Sequence, residues 1–396
     1  MNESYLQNAL IDVVIDTDTY NEIDDQFALA YMFCSTDKLN IKAIYAAPFS
    51  NDRASTPKEG VEKSFEEIKK LLKLLNRETF TEVYSGSENY LLNEKTPVFS
   101  SAAEHLARLA MQYSKENPLY VIAIATLTNI ASALLINPEI ADKIVLVWLG
   151  GNAWHCNIGR EFNLTQDVAA ARVAFEKCQS LVQVPCMGCV DSFCTTKQEL
   201  TYYLKGKNRV CDYLLESVLY YQQEKDGYPW SKPIWDVAAV GYLLNVRQRF
   251  MLVREEFRPE ITYDEQYILG KTNKKMTYVY HINRDELFFD FENAALSRCG
   301  FLPALKAGAR AREEPLGILE RHRRALDLDE RVFSSCQRYF SRLGKLDYDS
   351  QLSYCRRCRE EGEEAMVGRE AKGKDRIKLS ITLGAAAGAF AVILLL

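Results

Sequence analysis

A short acidic segment near the N-terminus is the first part of the sequence whose residue types and spacing could do chemistry. Positions 16 to 25 read DTDTYNEIDD, and five of these ten residues are acidic: Asp16, Asp18, Glu22, Asp24 and Asp25. Like charges held this close repel one another, so the segment is either a solvated loop or the ligand set of a cation. Carboxylate and carbonyl oxygens favour Ca²⁺ or Mg²⁺ over zinc. We favour a bound cation because the segment follows directly on an apolar run.

The elements around this segment have the alternating pattern of an α/β fold. The apolar run from Ile11 to Ile15 predicts a buried parallel strand, and residues 24–33 place apolar side chains at helical spacing. Strands are also predicted at residues 41–47, 119–125, 144–149 and 180–184, and helices at residues 58–75, 129–135 and 168–178. The predicted fold is an open, mostly parallel sheet with helices on both faces. Its polar loops meet in one crevice at the carboxyl ends of the strands.

The charge distribution divides the chain into parts of different character. The 396 residues are 47% apolar and 26% charged, which is the profile of a folded globular protein. Residues 1–301 carry 31 Lys and Arg against 40 Asp and Glu, whereas residues 302–396 carry 18 against 14. The acidic first part argues against binding to a phosphate backbone, so we expect no nucleic-acid partner. We predict a main domain over residues 1–301 and a charged, Arg-rich extension over residues 302–378, for which helix and disorder both stay open.

The last 18 residues, 379–396, are uncharged and apolar, and a basic flank precedes them. About 20 apolar residues are needed to cross a membrane, so this segment is either a tail anchor or a tail without membrane contact. As an anchor it would leave the main domain on the cytoplasmic side. The N-terminal segment lacks the apolar core of a secretory signal, and the eleven cysteines are an odd number. We therefore expect a cytoplasmic protein with reduced thiols, tethered to a membrane if the tail inserts.

Two cysteine pairs have a spacing that occurs in zinc sites. Cys186-x-x-Cys189 lies near Cys194, and Cys355-x-x-Cys358 lies in the extension. Neither pair has a second such pair or two histidines at the spacing of a zinc finger. The sequence therefore favours thiols that bind no metal.

Five motifs, in this order, resemble the inosine-uridine preferring nucleoside hydrolase family. They are Asp16-x-Asp18 with Asp24-Asp25, Thr126-Leu127-Thr128-Asn129, Gly150-Gly151-Asn152, Glu161-Phe162-Asn163 with Asp167, and Trp235-Asp236. Each follows a predicted strand or begins a predicted helix, and the resemblance spans about residues 10 to 295. It implies an open α/β sheet with Ca²⁺ at its carboxyl edge. It also implies an N-glycosyl hydrolase that converts ribonucleosides, purine or pyrimidine, to free base and ribose.

The resemblance further implies a role for each matched residue. Asp18, Asp25 and Asp236, with the backbone carbonyl of Thr128, would hold the calcium ion. Asp18 would also act as the catalytic base that takes a proton from the attacking water, and Asp16 would support the loop through hydrogen bonds. Contacts to the sugar or the base would come from Asp24, Asn51, Glu161, Asn163, Tyr228, Trp230 and Trp235.

The sequence departs from the family pattern at two places. Two extra residues, within Tyr20-Asn21-Glu22, lengthen the loop between the second and third aspartates. Many members have a His immediately before the last aspartate, where it helps to protonate the departing base, and this chain has Trp235. Base activation must then come from stacking on an aromatic side chain or from a proton supplied by a Tyr, His155 or His281. The base preference stays open.

Two other functions compete with the hydrolase. Asp16-x-Asp18-x-Thr is not far from the nucleophile motif of haloacid dehalogenase-like phosphatases, but that interpretation leaves the other four motifs unexplained. A catalytically weak or inactive protein that binds nucleosides or ribose on the same fold would explain the missing His. The presence of the calcium ligands and of the proposed base favours the hydrolase, with a nucleoside as its small-molecule partner. By analogy with relatives we expect a homo-oligomer.

Overall fold

The computed structural model describes residues 10–156, 159–222, 227 and 229–298. The predicted Arg-rich extension and the apolar tail lie outside these residues. Among the helices that are described, none is long and apolar enough to cross a membrane.

An eight-stranded sheet forms the centre of the described chain. Its strands are β1 (Ile11–Thr17), β2 (Leu39–Ala46), β3 (Glu82–Ser85), β4 (Leu119–Ala123), β5 (Ile144–Leu149), β6 (Ser180–Val184), β9 (Met251–Phe257) and β12 (Lys275–Ile282). The strand order is β3-β2-β1-β4-β5-β6-β12-β9. Neighbours are parallel throughout except for β12 and β9, which are antiparallel. Two small antiparallel pairs join β7 (Cys194–Thr196) to β8 (Ser231–Pro233) and β10 (Glu260–Ile261) to β11 (Tyr267–Ile268).

Helices cover both faces of this sheet, which confirms the predicted fold class. They are α1 (Asp25–Phe33), α2 (Pro57–Leu74), α3 (Ser101–Leu109), α4 (Thr128–Ile136), α5 (Phe162–Gln166), α6 (Val168–Lys177), α7 (Lys197–Leu204), α8 (Arg209–Tyr221), α9 (Val237–Leu243) and α10 (Arg284–Arg298). One core cluster contains side chains from α1, α2, α8, α9 and α10. The other contains side chains from α3, α4 and α6.

Burial on both faces explains the apolar runs of the central strands. In β1, Val13 and Ile15 belong to one core cluster and Val14 to the other, so consecutive residues of this strand are all apolar. Helix α2 has the ordinary start signals: the Thr56 hydroxyl accepts from the backbone N–H of Glu59, and Pro57 occupies the first turn. In β1 and α2 the sequence pattern therefore matches the local structure that is observed.

The strand order reverses beside β1, and this reversal creates the crevice. From β1 the chain continues to β2 and β3 on one side and then returns to β4 on the other side. Both neighbours stay paired to the end of β1, since Ala47 donates to the carbonyl of Thr17 (2.8 Å) and Ile124 to that of Asp16 (2.9 Å). The loops after β1 and β4 then diverge, and in open α/β sheets ligands bind at this place.

Candidate active site

The end of β1 delivers the first carboxylates into the crevice. Asp16, within the strand, is fully buried, and Asp18 immediately follows the strand and is 1% exposed. The backbone N–H of Asn21 donates to the Asp18 carbonyl (2.6 Å), so the chain turns sharply here. The Thr17 hydroxyl points to the other side and donates to Asp25 (2.5 Å). The turn therefore ties the strand end to the start of α1.

Two helices begin at the crevice with acidic residues. Asp24 and Asp25 stand at the start of α1, and Asp236 precedes α9; neither helix has a side-chain cap at its first turn. The positive end of a helix dipole favours negative charge at this position. Helices α1 and α9 pack against each other, which brings the three carboxylates together. One oxygen of each lies within 4.8 Å of the others.

Burial shifts the pKa of every carboxyl in this group. It raises the pKa of Asp16 to about 7, against the opposing effect of its hydrogen bond from Asn129. Burial and repulsion from Asp24 raise the pKa of Asp25 to about 7. For Asp18 burial has the largest effect, with Asp25 and Asp24 adding to it, and its pKa lies well above the usual range. Without a positive charge nearby, these carboxylates repel one another when they are ionised.

A metal ion with oxygen ligands would compensate these charges, and the donor set fits one. Among the described residues, one carboxylate oxygen of Asp16 and one of Asp18 are buried and have no hydrogen-bond partner. The group formed by Asp24, Asp25 and Asp236 is the one set of three or more acidic, His or Cys side chains in the described chain that converges closely enough for a metal. Carboxylates in this number suit a hard cation. The family resemblance implies Asp18 rather than Asp24 as a metal ligand. Asp18 lines the same cleft as Asp24, Asp25 and Asp236.

The opposite wall of the crevice is built on a glycine turn. Gly151 has a positive φ of 66°, and a Cβ there would lie 1.9 Å from the Tyr267 hydroxyl oxygen, so this position requires glycine. Its N–H donates to the Glu161 carboxylate (2.7 Å), which also accepts from the N–H of Asn163 (2.7 Å) as the N-cap of α5. The Asn163 side chain donates to the Leu149 carbonyl (3.0 Å). Both polar side chains are thus held in place.

The walls enclose a cleft of about 240 Å³. Seven residues proposed from the sequence line it: Asp18, Asp24, Asp25, Glu161, Asn163, Trp235 and Asp236. Several other residues also line the cleft, and the sequence predicted no site role for them: Asn21, Glu22, Ile124, Leu149, Asn152, Arg160, Phe162, Cys186 and Met187. Asn21 and Glu22 belong to the lengthened loop, so their presence in the acidic segment was a usable signal. No sequence pattern singled out Arg160 or Met187.

The motif from Thr126 to Asn129 acts behind the cleft. The Asn129 amide donates to the Asp16 carboxylate (2.8 Å), so a side chain of α4 holds Asp16. The Thr128 hydroxyl donates to Asp167 (2.7 Å), and Asp167 also accepts from the N–H groups of Leu91 and Ala170 (2.9 Å each). These contacts fix the start of α4 next to the end of β1.

The remaining residues proposed from the sequence lie away from the cleft or outside the described chain. Asn51 donates to the Asn21 side chain (2.7 Å) and thus supports the loop from behind. Trp230 packs against the hydrophobic core, and Tyr228 lies outside the described residues. His155 and His281 are exposed and do not line the cleft.

Among the described residues, Cys186, Cys189 and Cys194 do not converge as the ligands of one metal ion. Cys186 lines the cleft and its thiol donates to Glu161, whereas Cys189 points to the Val279 carbonyl (3.6 Å). Cys355 and Cys358 lie outside the described residues. Cys34 is disulfide-bonded, so the prediction that all thiols are reduced is wrong at this position. The odd number of cysteines and the lack of a secretory signal concern the whole chain, and neither decides the state of one buried thiol.

Comparison with solved structures defines the class to which this fold belongs. The chain is similar to a plant nucleoside hydrolase (TM-score 0.60, 16% identity, 73% of this chain and 100% of that one). It is also similar to a purine-preferring ribonucleoside hydrolase from Gardnerella vaginalis (0.55, 18%, 73% and 99%). A third match is an inosine-uridine preferring nucleoside hydrolase from Bacillus anthracis (0.54, 18%, 73% and 100%). The fold of the present chain is therefore that of the nucleoside hydrolases.

A sequence model of one family makes the assignment specific. The model described as inosine-uridine preferring nucleoside hydrolase matches residues 13–289, which is well over half of the chain. The protein belongs to this family, as the motifs predicted, and the phosphatase interpretation is wrong. No curated protein sequence is significantly similar to the chain.

Proposed function

We propose that this protein hydrolyses the N-glycosidic bond of ribonucleosides to free base and ribose and that its cofactor is Ca²⁺. The observation that carries the proposal is the convergence of Asp18, Asp24, Asp25 and Asp236 in one cleft with Glu161 and Asn163. Family membership supports a hydrolase of nucleosides in general. Asp25 and Asp236 would hold the calcium ion together with Asp18 and the carbonyl of Thr128.

Calcium, when bound, orients a water molecule and makes it more acidic. Asp18 would accept the proton from this water. In support, one of its carboxylate oxygens is buried and has no hydrogen-bond partner in the described chain. A general base must stand within hydrogen-bond reach of the proton that it removes. Asp18 lines the cleft beside the proposed metal ligands, which supports its assignment as this base.

The other polar residues of the cleft would bind and stabilise the sugar. The transition state of N-glycoside cleavage resembles an oxocarbenium ion, so nearby anions lower its energy. Asp24 and Glu161 supply such charges from opposite walls, and backbone N–H groups hold the Glu161 carboxylate in place. The Trp235 ring lines the cleft and offers a stacking surface for the base.

The test is release of ribose by the full chain from inosine, guanosine, uridine and cytidine, with calcium and then with a chelator. We expect ribose release that is lost on chelation and restored by calcium. Isothermal titration with calcium serves as the control for metal binding. Calcium binding without ribose release from any nucleoside would contradict the proposal and favour a nucleoside-binding protein.

A further inference from the structure

The lengthened loop after β1 forms part of the cleft wall. Asn21 and Glu22, which lie within its inserted part, both line the cleft. On one side the loop is held by the segment after β2: Asn51 donates to the Asn21 side chain (2.7 Å), and Arg53 donates to the backbone carbonyls of Asn21 (3.3 Å) and Glu22 (3.2 Å). The guanidinium of Arg53 also stacks over the Tyr20 ring at 4.3 Å. An insertion fixed in this way has a defined shape.

On its other side the loop meets a buried lysine. The Lys232 ammonium forms an ion pair with the Glu22 carboxylate, and the lysine side chain is 8% exposed. Burial alone would lower the pKa of Lys232, but Asp24 and Glu22 raise it overall. A buried ammonium persists only when carboxylates of this kind surround it.

The backbone around Lys232 is rigid. Lys232 lies in β8, where it pairs with Thr195 of β7, and two residues later Ile234 donates to the Phe193 carbonyl (3.0 Å). Trp235 and Asp236 of the cleft follow directly. The ion pair with Glu22 therefore connects the acidic loop to the segment that supplies the last proposed metal ligand. A support on a paired strand holds a site more accurately than one on a free loop.

The charges in the cleft explain why such a cation is needed. Six carboxylates line it, and one divalent ion offsets two negative charges. Arg160, the one basic residue among the described lining residues, is 72% exposed and pairs with Glu265. Lys232 offsets part of the negative charge of Glu22 and Asp24.

We infer that Lys232 is a positioning residue for riboside binding: through its ion pair with Glu22 it fixes the lengthened loop so that Glu22 and Asp24 face the sugar. The inference rests on the proposed function, in which Asp24 binds the ribose. Lys232 touches neither the substrate nor the metal in this arrangement. Its effect passes through the two carboxylates, so it should change substrate affinity more than metal affinity.

The test compares four variants of the full chain at Lys232 and Glu22 with one control variant. Lys232→Met removes the ammonium and keeps the length of the side chain, and Lys232→Arg restores a positive charge. Glu22→Gln removes the partner, and its double variant with Lys232→Met measures whether the two act as a unit. Lys275→Met is the matched control, because Lys275 pairs with Glu255 at an exposed place on β12 and β9. The readouts are KM and kcat for inosine and titration calorimetry with D-ribose and with calcium.

For Lys232→Met we expect KM for inosine and Kd for ribose to rise about tenfold or more, as for other residues that orient a ligand-binding group. Calcium affinity and kcat should change by no more than about twofold. The double variant should have the same KM and ribose affinity as Lys232→Met alone. Lys232→Arg should recover most of the ribose affinity. The control should match the wild type.

Two results would overturn the inference. One is an unchanged KM and ribose affinity in Lys232→Met, and the other is an equal loss of calcium affinity and thermal stability, which indicates a merely structural role. The proposed function fails separately: a wild type that binds calcium and ribose without releasing ribose from inosine refutes the hydrolase, while ribose titration still tests Lys232. A wild type that binds no ribose and cleaves no inosine overturns both.

Discussion

Two regions of this molecule bury charge in opposite ways. Arg258, directly after β9, is 2% exposed, and its guanidinium donates to four backbone carbonyls, those of Lys275 (2.9 Å), Phe175 (2.9 Å), Cys178 (2.5 Å) and Gln179 (2.7 Å). Three of these carbonyls lie at or near the end of α6, where the helix dipole is negative. At the cleft and directly behind it, by contrast, one buried oxygen of Asp18 and one of Asp16 have no hydrogen-bond partner among the described residues.

The buried charge of Arg258 has a structural role, whereas the buried charges at the cleft have a role in the proposed function. A buried polar group in a folded protein is nearly always satisfied, and Arg258 follows this rule through the backbone alone. The exceptions need an explanation, and the proposed cation and substrate would explain the carboxylates at the cleft. Variants in the two regions should therefore affect different measurements.

The largest effect is expected for Asp18→Asn. The amide has the same shape but cannot accept the proton, so kcat should fall about 100- to 10,000-fold. Thermal stability should stay equal or rise, because a buried carboxyl without a partner is replaced by a neutral group. Asp12→Asn is the matched control, since Asp12 lies at the other end of β1 and binds Asn40 and Tyr113. A variant that keeps its turnover would remove Asp18 from the mechanism.

Arg258→Met should give the opposite result. It leaves buried carbonyls without donors, so the free energy of unfolding should fall by about 3 kcal/mol. Calcium affinity should match that of the wild type, and Arg258→Lys should lie between the two. Arg249→Met is the control, because Arg249 pairs with Glu286 and Asp290 at 44% exposure and such pairs contribute about 1 kcal/mol or less. Urea denaturation measures all three; a loss as small as that of the control would show that Arg258 is dispensable.

The pH dependence of stability should distinguish the regions with a smaller effect. Without metal, the pKa values of Asp16, Asp24 and Asp25 are raised to about 7, 6 and 7, above those of an unfolded chain. The folded state then holds protons that the unfolded state has released, so stability should fall as pH rises from about 4 to 7. Each proton held contributes about 1.4 kcal/mol per pH unit.

Calcium should reverse this dependence because it stabilises the ionised carboxylates. We expect calcium to raise the melting temperature more at pH 8 than at pH 5, in thermal scans with calcium or chelator. Asp25→Asn should flatten the dependence, whereas Arg258→Met should keep its slope at lower stability. A calcium effect that does not change with pH would contradict the assignment of the cation to these carboxylates.

The sequence predicts the parallel part of the sheet well for a physical reason. Strands β1, β2, β4, β5 and β6 are buried on both faces, so each reads as an apolar run. Strand β3 (Glu82–Ser85) is short, partly exposed and at an edge, and gives no such run. The antiparallel edge strand β9 has three charged residues at its centre, Arg254, Glu255 and Glu256, and was missed as well.

The cleft shows the same division between local and long-range information. One short segment contains Asp18, Asp24 and Asp25, so their spacing in the sequence alone predicts that they lie close together. Lys232 has no such signal, because it lies outside every motif and its ion pair with Glu22 depends on the packing of β8. Trp230 packs against the hydrophobic core, and aromatic type alone does not distinguish such packing from a stacking surface.

The ion pair between Glu22 and Lys232 also has a consequence for biosynthesis. The two residues are 210 positions apart in the chain, and Asp236 follows four positions after Lys232. At translation rates of about 5 to 20 residues per second, the nascent acidic loop waits about 10 to 40 s for its cationic partner. The carboxylates of the loop are made early and repel one another throughout that interval. The ribosome therefore completes this group of residues only after most of the main domain has been made, so capture of the proposed cation would follow the synthesis of β1 to β8.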